Sequence, residues 1–286
     1  MLIVTGFLIV MLAVFGGFVL QDGHLAALFQ PYEVLMIFGG AFGAFVIGND
    51  RKAIAMTLHS IPLLFRGARY TRALYMALLA LLFDLLTRAR KEGLMSLEDE
   101  IEAPYESAIF LRHALVLEDE GLVDFVTDYL RLIVSGTMNA YQLENLMDNE
   151  IATGDEDARI PIGAIQKLAD GMPAFGIVAA VMGVVHTMGA IGRPPAELGA
   201  LIAAALVGTF VGILLSYGLV APLASLLERR HQESARALQC VKVTLLASLN
   251  GYAPTIACEF GRKVISAPER PTFAELEGHV RQPRMR

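Results

Sequence analysis

The stretch LGALIAAALVGTFVGILLSYGLVAPLASLL, residues 198–227, contains no Asp, Glu, Lys or Arg. It is longer than the roughly 20 residues that an α-helix needs to cross a hydrocarbon core of ~30 Å, so this helix should tilt or continue into water. Residues 2–21, 34–49 and 171–192 are also free of charged side chains. The stretch 34–49 is short and rich in glycine, and it can span where its flanks lie among the headgroups or the bilayer thins. The sequence therefore predicts four transmembrane helices.

The composition agrees with a membrane protein. Hydrophobic residues make up 55%, charged residues make up 18%, and the mean hydropathy is +0.53, which is too apolar for an ordinary soluble domain. The formal net charge of -6 and the lack of a dense run of Lys and Arg argue against nucleic acid as a partner. Cys240 and Cys258 form no metal-ligand or redox motif, so we expect two free thiols.

The distribution of basic residues predicts the orientation in the membrane. Residues 1–50 contain no Lys or Arg, residues 51–170 contain twelve, and residues 228–286 contain ten. The positive-inside rule places both basic blocks, and with them both termini, in the cytoplasm. The first span lacks the basic start and cleavage site of a signal peptide, so we expect it to remain in the mature protein.

These observations predict an all-α membrane protein with four transmembrane helices, a large helical cytoplasmic domain between spans 2 and 3, and a helical cytoplasmic tail. The first two helices are joined by a short periplasmic loop. The predicted parts are 1–50 with helices 1 and 2, 51–170 as the cytoplasmic domain, 171–227 with helices 3 and 4, and 228–286 as the tail.

The two cytoplasmic blocks carry helix start and stop signals. Residues 71–93 have apolar side chains at helical spacing and end in basic residues ahead of Gly93, which is typical of a helix end. Ser96 followed by Asp99 resembles a capping box and predicts a new helix start. The domain has a charge of -7 and the tail about +4, so the two should attract each other. We expect further helices at 105–118, 121–134 and 139–151 and a solvated connector at 154–159.

The sequence contains no phosphate-binding, metalloprotease or nucleophile motif, so it predicts no enzyme, cofactor, metal site or catalytic residue. His186 is the one ionisable residue predicted inside a span, where a structural and a functional role both remain open. No Asp, Glu, Lys or Arg is predicted in the interior of a span. Because an ion path through a membrane normally needs a carboxylate, a partner chain would have to supply it.

Small residues indicate that the spans contact other helices. Ala204, Gly208, Gly212 and Ser216 recur every four residues and let a second backbone approach closely, either within one bundle or between chains. Thr209 borders this face and is the only hydroxyl in the middle of the fourth span. It either bonds back to its own helix or lines a wet path.

Two prolines lie at the predicted cytoplasmic side of the membrane. Pro173 opens the third span and Pro222 lies near the end of the fourth, and the two helices run in opposite directions. Proline is common at a helix start, and near a helix end it produces a kink. The alternative is that a structural change beside Thr209 reaches the cytoplasmic block because the helices bend at these two prolines.

Several long segments, in order along nearly the whole chain, resemble the MotA family of flagellar motor stator proteins. The proton-driven branch of this family is the closer likeness. The segments that carry the resemblance are FGGFVLQDGHLAALFQPYE (15–33), SIPLLFRGARYTRALYMALLALL (60–82), MPAFGIVAAVMGVVHTMG (172–189), LGALIAAALVGTFVGILLSYGLVAPLA (198–224), CVKVTLLASLNGYAP (240–254) and EFGRK (259–263).

The resemblance implies an inner-membrane stator in which a pentamer of this chain surrounds a dimer of MotB, whose helix carries the ion-binding Asp. Proton flow would turn the ring and push on the rotor protein FliG. Pro173 and Pro222 match the coupling prolines of the family, and Thr209 with Ala180 would line the channel. The resemblance assigns contact with FliG to Arg90, Glu98 and Glu150, although exposed charges are ordinarily only solvated surface.

Two other functions fit parts of the sequence. The related ExbB and TolQ proteins use the same driving force for outer-membrane import or integrity, but they typically have three spans and an outer N-terminus. A scaffolding membrane bundle without ion flow would explain the small-residue faces. It would leave the pairing of the two prolines at one depth as a coincidence.

Overall fold

A computed structural model describes residues 2–65 and 67–281, which are helical and contain no β-strand. The α-helices are α1 Leu2–Leu20, α2 Pro31–Ile47, α3 Arg51–Phe65, α4 Arg72–Glu92, α5 Glu98–Glu102, α6 Ala108–Leu111, α7 Ala114–Leu117, α8 Glu120–Ser135, α9 Ala140–Met188, α10 Pro195–Leu215, α11 Ala221–Leu249, α12 Pro254–Val264 and α13 Phe273–Arg281. The chain divides into two compact units. The first comprises residues 1–67 and 157–229, and the second comprises residues 68–156 and 230–286.

The first unit contains the membrane helices. Four helical stretches are long and apolar enough to cross a bilayer, which confirms the prediction of four spans: Leu2–Leu20, Leu25–Ile47, Ala140–Met188 and Pro195–Leu249. The prediction that the fourth span continues beyond the membrane is also confirmed, because α10 leads through a π-helical turn at Ser216–Val220 directly into α11.

The helix that contains the third span begins well before residue 171, and the predicted connector at 154–159 is wrong. Both lie inside α9, a single helix of 49 residues that also contains Pro161 and Pro173. Charged residues at 155–159 do not end a helix, because their side chains reach water while the backbone keeps its hydrogen bonds. Pro173 therefore lies in a helix interior rather than at a helix start.

The second unit is built around α4. Thr71 caps this helix by accepting a hydrogen bond from the N–H of Leu74, and Gly93 ends it with a φ of 91°. The leucines of α4 that point inward are buried in the core of this unit, and α4 packs against α12, α7 and α13. The predicted helix at 71–93 is thus confirmed. The predicted capping role of Ser96 is wrong, because its hydroxyl donates to the carbonyl of Gly93.

Within the second unit, ion pairs join the tail (228–286) to the predicted cytoplasmic domain (51–170). Lys242 Nζ lies 2.6 Å from Asp148 Oδ1, and Arg72 pairs with Glu275. A hydrogen bond of 2.9 Å joins His231 Nε2 to Asp155 Oδ1. These contacts confirm the expected attraction between the acidic block and the basic tail. Cys240 and Cys258 are buried free thiols, as the sequence predicts.

His113, just before α7, and Asp84 on α4 form a buried histidine–aspartate pair. His113 Nε2 is 3.3 Å from the carboxylate of Asp84. Burial, followed by the nearby charge of Arg112, lowers the pKa of His113 to about 4, although Asp84 attracts the protonated ring. His113 is therefore neutral at pH 7, because the desolvation of the charged ring exceeds this attraction.

Candidate ion path and coupling elements

Glycines let α9 and α10 lie in backbone contact in the first unit. A Cβ atom on Gly176 would lie 2.9 Å from the carbonyl oxygen of Gly208, and one on Gly212 would lie 2.7 Å from the carbonyl oxygen of Met172. A Cβ on Gly183 would meet that of Ala205 at 2.6 Å. The two helices run antiparallel, and any larger side chain at these positions would force them apart. The small-residue face predicted on the fourth span is thus a contact within this chain.

Thr209 and Ala180 flank this contact. Both are half-buried, and Thr209 follows Gly208 while Ala180 follows the buried Ala179. In the part of the chain that the structure describes, the hydroxyl of Thr209 makes no hydrogen bond. By contrast, Thr187 on α9 bonds back to the carbonyl of Gly183 at 2.9 Å. The Thr209 hydroxyl is therefore available to water or to another chain.

A row of apolar side chains on α9 beside this contact is exposed. Each of these side chains has about half or more of its surface accessible, so the bundle formed by this single chain is incomplete on that side. Helices in lipid associate through close packing rather than through the hydrophobic effect. The exposed residues are Ile177, Val178, Val181, Met182, Val184, Val185 and Met188.

Glu33 overturns the expectation that no acid lies inside a span. Helix α2 begins at Pro31, so Glu33 lies in its first turn rather than in an outer loop. Its side chain packs against Gly208, where an added Cβ would lie 2.6 Å from the carboxylate atom Oε2. Glu33 is only 8% exposed, and Oε2 has no hydrogen-bond partner among the described residues. The sequence signal for this position was Pro31, which favours the first position of a helix.

The two prolines lie at different levels along the helices. Pro173 follows Met172, whose carbonyl faces Gly212, whereas Pro222 lies ten residues beyond Gly212, in the first turn of α11. At 1.5 Å per residue this places Pro222 roughly 10–15 Å further along. Pro173 is half-buried and Pro222 is exposed. Each interrupts the backbone hydrogen bonding of its helix, because proline has no N–H.

The three predicted rotor contacts lie on the surface of the second unit. Arg90 is in the last turn of α4 and Glu98 is the first residue of α5, and neither takes part in an ion pair within the described residues. Glu150 on α9 is exposed and accepts a hydrogen bond of 2.6 Å from the hydroxyl of Tyr129. Arg88 differs from Arg90, because it pairs with Glu92 and with the buried Glu100.

Comparison with known families matches two parts of the chain. Residues 4–93 match the family model "Motility protein A N-terminal", and residues 118–240 match the MotA/TolQ/ExbB proton channel family.

Individual relatives cover almost the whole chain. It is 54% identical to Motility protein A of Salmonella typhimurium and of Escherichia coli over 281 residues, which is 98% of this chain and 95% of each relative. It is 39% identical to the chemotaxis protein LafT of Vibrio parahaemolyticus, with 95% of both chains covered.

Solved structures that match this fold include two MotAB structures. The Bacillus subtilis flagellar MotAB stator complex matches with a TM-score of 0.75 and 25% identity, covering 90% of this chain and 92% of that one. Campylobacter jejuni MotAB matches with a TM-score of 0.79 and 17% identity, covering 93% and 95%.

Proposed function

This chain belongs to the motility protein A family, and we propose that, with MotB, it forms a proton channel that drives the rotor protein FliG. It is a multi-pass protein of the bacterial inner membrane and a non-enzymatic stator component of the flagellar motor. Its match to the motility-specific model over residues 4–93 favours this function over the ExbB and TolQ alternative. Both termini lie in the cytoplasm, as the basic residues predict.

The observation that carries this proposal is the exposed apolar face of α9 beside the unbonded hydroxyl of Thr209. This surface fits a transmembrane helix of MotB, which brings the ion-binding Asp, and neighbouring copies of the chain in a pentamer; lipid covers the remaining outer surface. Thr209 and Ala180 then line the proton path between the chains. Each proton that crosses the membrane delivers ~2.3 kcal/mol per 100 mV.

Pro173 and Pro222 couple proton flow to movement. Both lie on helices that carry or adjoin the candidate path, and both weaken the backbone hydrogen bonding locally. Bending is therefore easier at these two places than at the non-proline positions beside them in α9 and α11. The cytoplasmic part at 51–170 meets the rotor, and Arg90, Glu98 and Glu150 contact FliG. Arg90 and Glu98 suit this role, because neither forms an ion pair with another described residue that would have to break first.

The experiment that tests the function is rotation of tethered cells that have flagella but no stator. The chain is supplied alone and together with MotB. We expect stepwise rotation only when both chains are present. Paralysis with both chains in the membrane would contradict the stator function and favour the import-energising alternative. Rotation with this chain alone would contradict the assignment of the ion-binding carboxylate to MotB.

A further inference from the structure

Glu33 is an acid for which the fold offers no structural reason. Its Oε2 atom is buried without a hydrogen-bond partner in the described part of the chain. It lies beside Gly208, which is thirteen residues into α10, or ~20 Å along the helix from its first residue. Burying an ionised carboxylate without a partner is strongly unfavourable. Acids within membrane segments are therefore rare and mark ion pathways by default.

Among residues 2–65 and 67–281, no neighbouring charge accounts for the burial of the Glu33 carboxylate. Glu33 packs against α10, and α2 also meets α9, where the ring of Phe175 lies against Gly40. His186 on α9 is seven residues from Ala179, or ~10 Å along the helix. At the start of α10, Arg193 pairs with Glu197 at 3.7 Å rather than with Glu33. The titratable groups on the segment before α2 are Asp22 and His24, and Tyr32 precedes Glu33 in the first turn of α2.

The helix opposite Glu33 leaves space for its carboxyl group. An added Cβ at Gly208 would lie 2.6 Å from Oε2 and 3.1 Å from the Cβ of Ala179. Glycine at 208 therefore accommodates the acid as well as the close approach of α9. The residues that follow these two contacts are Thr209 and Ala180, the two that line the proposed proton path. Glu33 is thus adjacent to that path.

We propose that Glu33 is a proton-binding site that this chain itself contributes to the ion path, in addition to the carboxylate of MotB. The inference rests on the proposed function. The ionised carboxyl takes a proton from water on the extracytoplasmic side and becomes neutral, which relieves the cost of burial. It then gives the proton to water or to the carboxylate of MotB and returns to its ionised form. Its role is to raise the rate at which protons reach the central acid.

The test is the torque–speed relation of motors driven by this chain and MotB, measured with beads of decreasing size at several external pH values. Glu33→Gln keeps the size of the side chain but cannot exchange a proton. We expect near-normal torque at high load and a several-fold lower speed at low load, where proton delivery limits rotation. The deficit should grow as external pH rises. Glu33→Asp should restore most of the speed, and the exposed control Glu197→Gln should match the wild type.

Coinciding curves for Glu33→Gln and the wild type at all loads and pH values would overturn the proposal. So would a Glu33→Asp variant as slow as Glu33→Gln, because that result assigns Glu33 to packing alone.

Infrared difference spectra of the purified complex provide a readout that does not depend on rotation or on the rotor. A carboxylic C=O band that titrates in the wild type and is missing in Glu33→Gln supports proton binding, and its absence from the wild type contradicts it. Paralysis of the wild-type motor would instead count against the proposed function, so the two failures are distinguishable.

Discussion

The helices inside the first unit pack through small residues, whereas those inside the second unit pack through large apolar side chains. In the first unit, α9 and α10 meet through Gly176, Gly208 and Gly212, and α1 has no buried residue at all. In the second unit, the leucines of α4 pack with large side chains such as Phe110 and Tyr75 in one continuous core. The second unit thus covers most of its apolar surface within the chain. The first leaves its surface to lipid and to other chains.

The largest expected effect comes from substituting Pro173, the proposed coupling proline of α9 in the first unit. Pro173→Ala supplies the missing N–H and straightens α9, so it should abolish torque while the chain still reaches the membrane and co-purifies with MotB. Tethered-cell rotation and pull-down measure the two properties. The matched control is Pro161→Ala in the same helix, which should still rotate. Normal rotation of Pro173→Ala would refute the hinge role.

Removing a core side chain tests the self-sufficiency of the second unit. Leu82 is fully buried, so Leu82→Ala should lower the free energy of unfolding by about 2–5 kcal/mol. Denaturant unfolding in detergent, followed by tyrosine fluorescence, measures this loss. The same substitution at Leu111, which is 54% exposed, should cost far less. Equal losses at the two positions would show that the second unit is not stabilised by this core.

The second unit should also lose stability in acid through His113. Its pKa is about 4 in the folded chain and near 6.5 when unfolded, so the unfolded state binds more protons between these values. The contribution is fully present above pH 6.5 and falls by on the order of 3 kcal/mol as pH drops to 4. Unfolding curves at several pH values should be flatter for His113→Gln. A titration midpoint above 6.5 would show that attraction to Asp84 exceeds the effect of burial.

In the first unit, a methyl group added at the contact between α9 and α10 should lower the stability of the complex. Gly212→Ala places a Cβ 2.7 Å from a backbone oxygen, so overpacking should cost about 1–3 kcal/mol and weaken assembly with MotB. Gly43→Ala is the matched control, because no atom lies within 4 Å of its added Cβ. It should be neutral or slightly stabilising. Thermal stability of the purified complex compares the two, and identical behaviour would contradict the close helix contact.

The smallest effect concerns the rotor-facing surface of the second unit. Arg90→Glu should reduce rotation without changing stability, because Arg90 makes no ion pair within the described residues. An opposite charge reversal on FliG should restore part of the speed. Arg88→Glu is the contrasting variant, since it breaks the pair with Glu100 and should not be relieved by FliG. The absence of relief in every Arg90 pairing would remove this residue from the rotor contact.

The sequence predicted those features that depend on local patterns. Charge-free stretches identified the four spans. The apolar spacing over 71–93 and the stop at Gly93 located α4 correctly, because helix-end signals and hydropathy act over a few residues. The connector at 154–159 was wrong because polarity alone does not interrupt helical hydrogen bonding. The family and the fold class were also predicted correctly.

The candidate ion path was harder to predict from the sequence than the helices were. Glu33 was missed because its burial depends on Gly208, 175 positions away in the sequence. Which glycines approach which backbone is likewise decided by packing between helices. The roles of Thr209, Ala180, Pro173, Pro222, Arg90, Glu98 and Glu150 stay predictions, because they concern contacts with other chains.

The π-helical turn at Ser216–Val220 has a consequence for register. Such a turn is equivalent to one residue inserted into an α-helix, and it shifts the phase of everything after it by about 100°. The faces presented by α10 and by α11 are therefore set independently, although the chain continues without a loop. Deleting a single residue from this turn would convert it to regular helix and rotate Pro222 away from its present direction relative to Thr209. The one extra residue in this turn therefore sets the direction in which Pro222 points relative to Thr209.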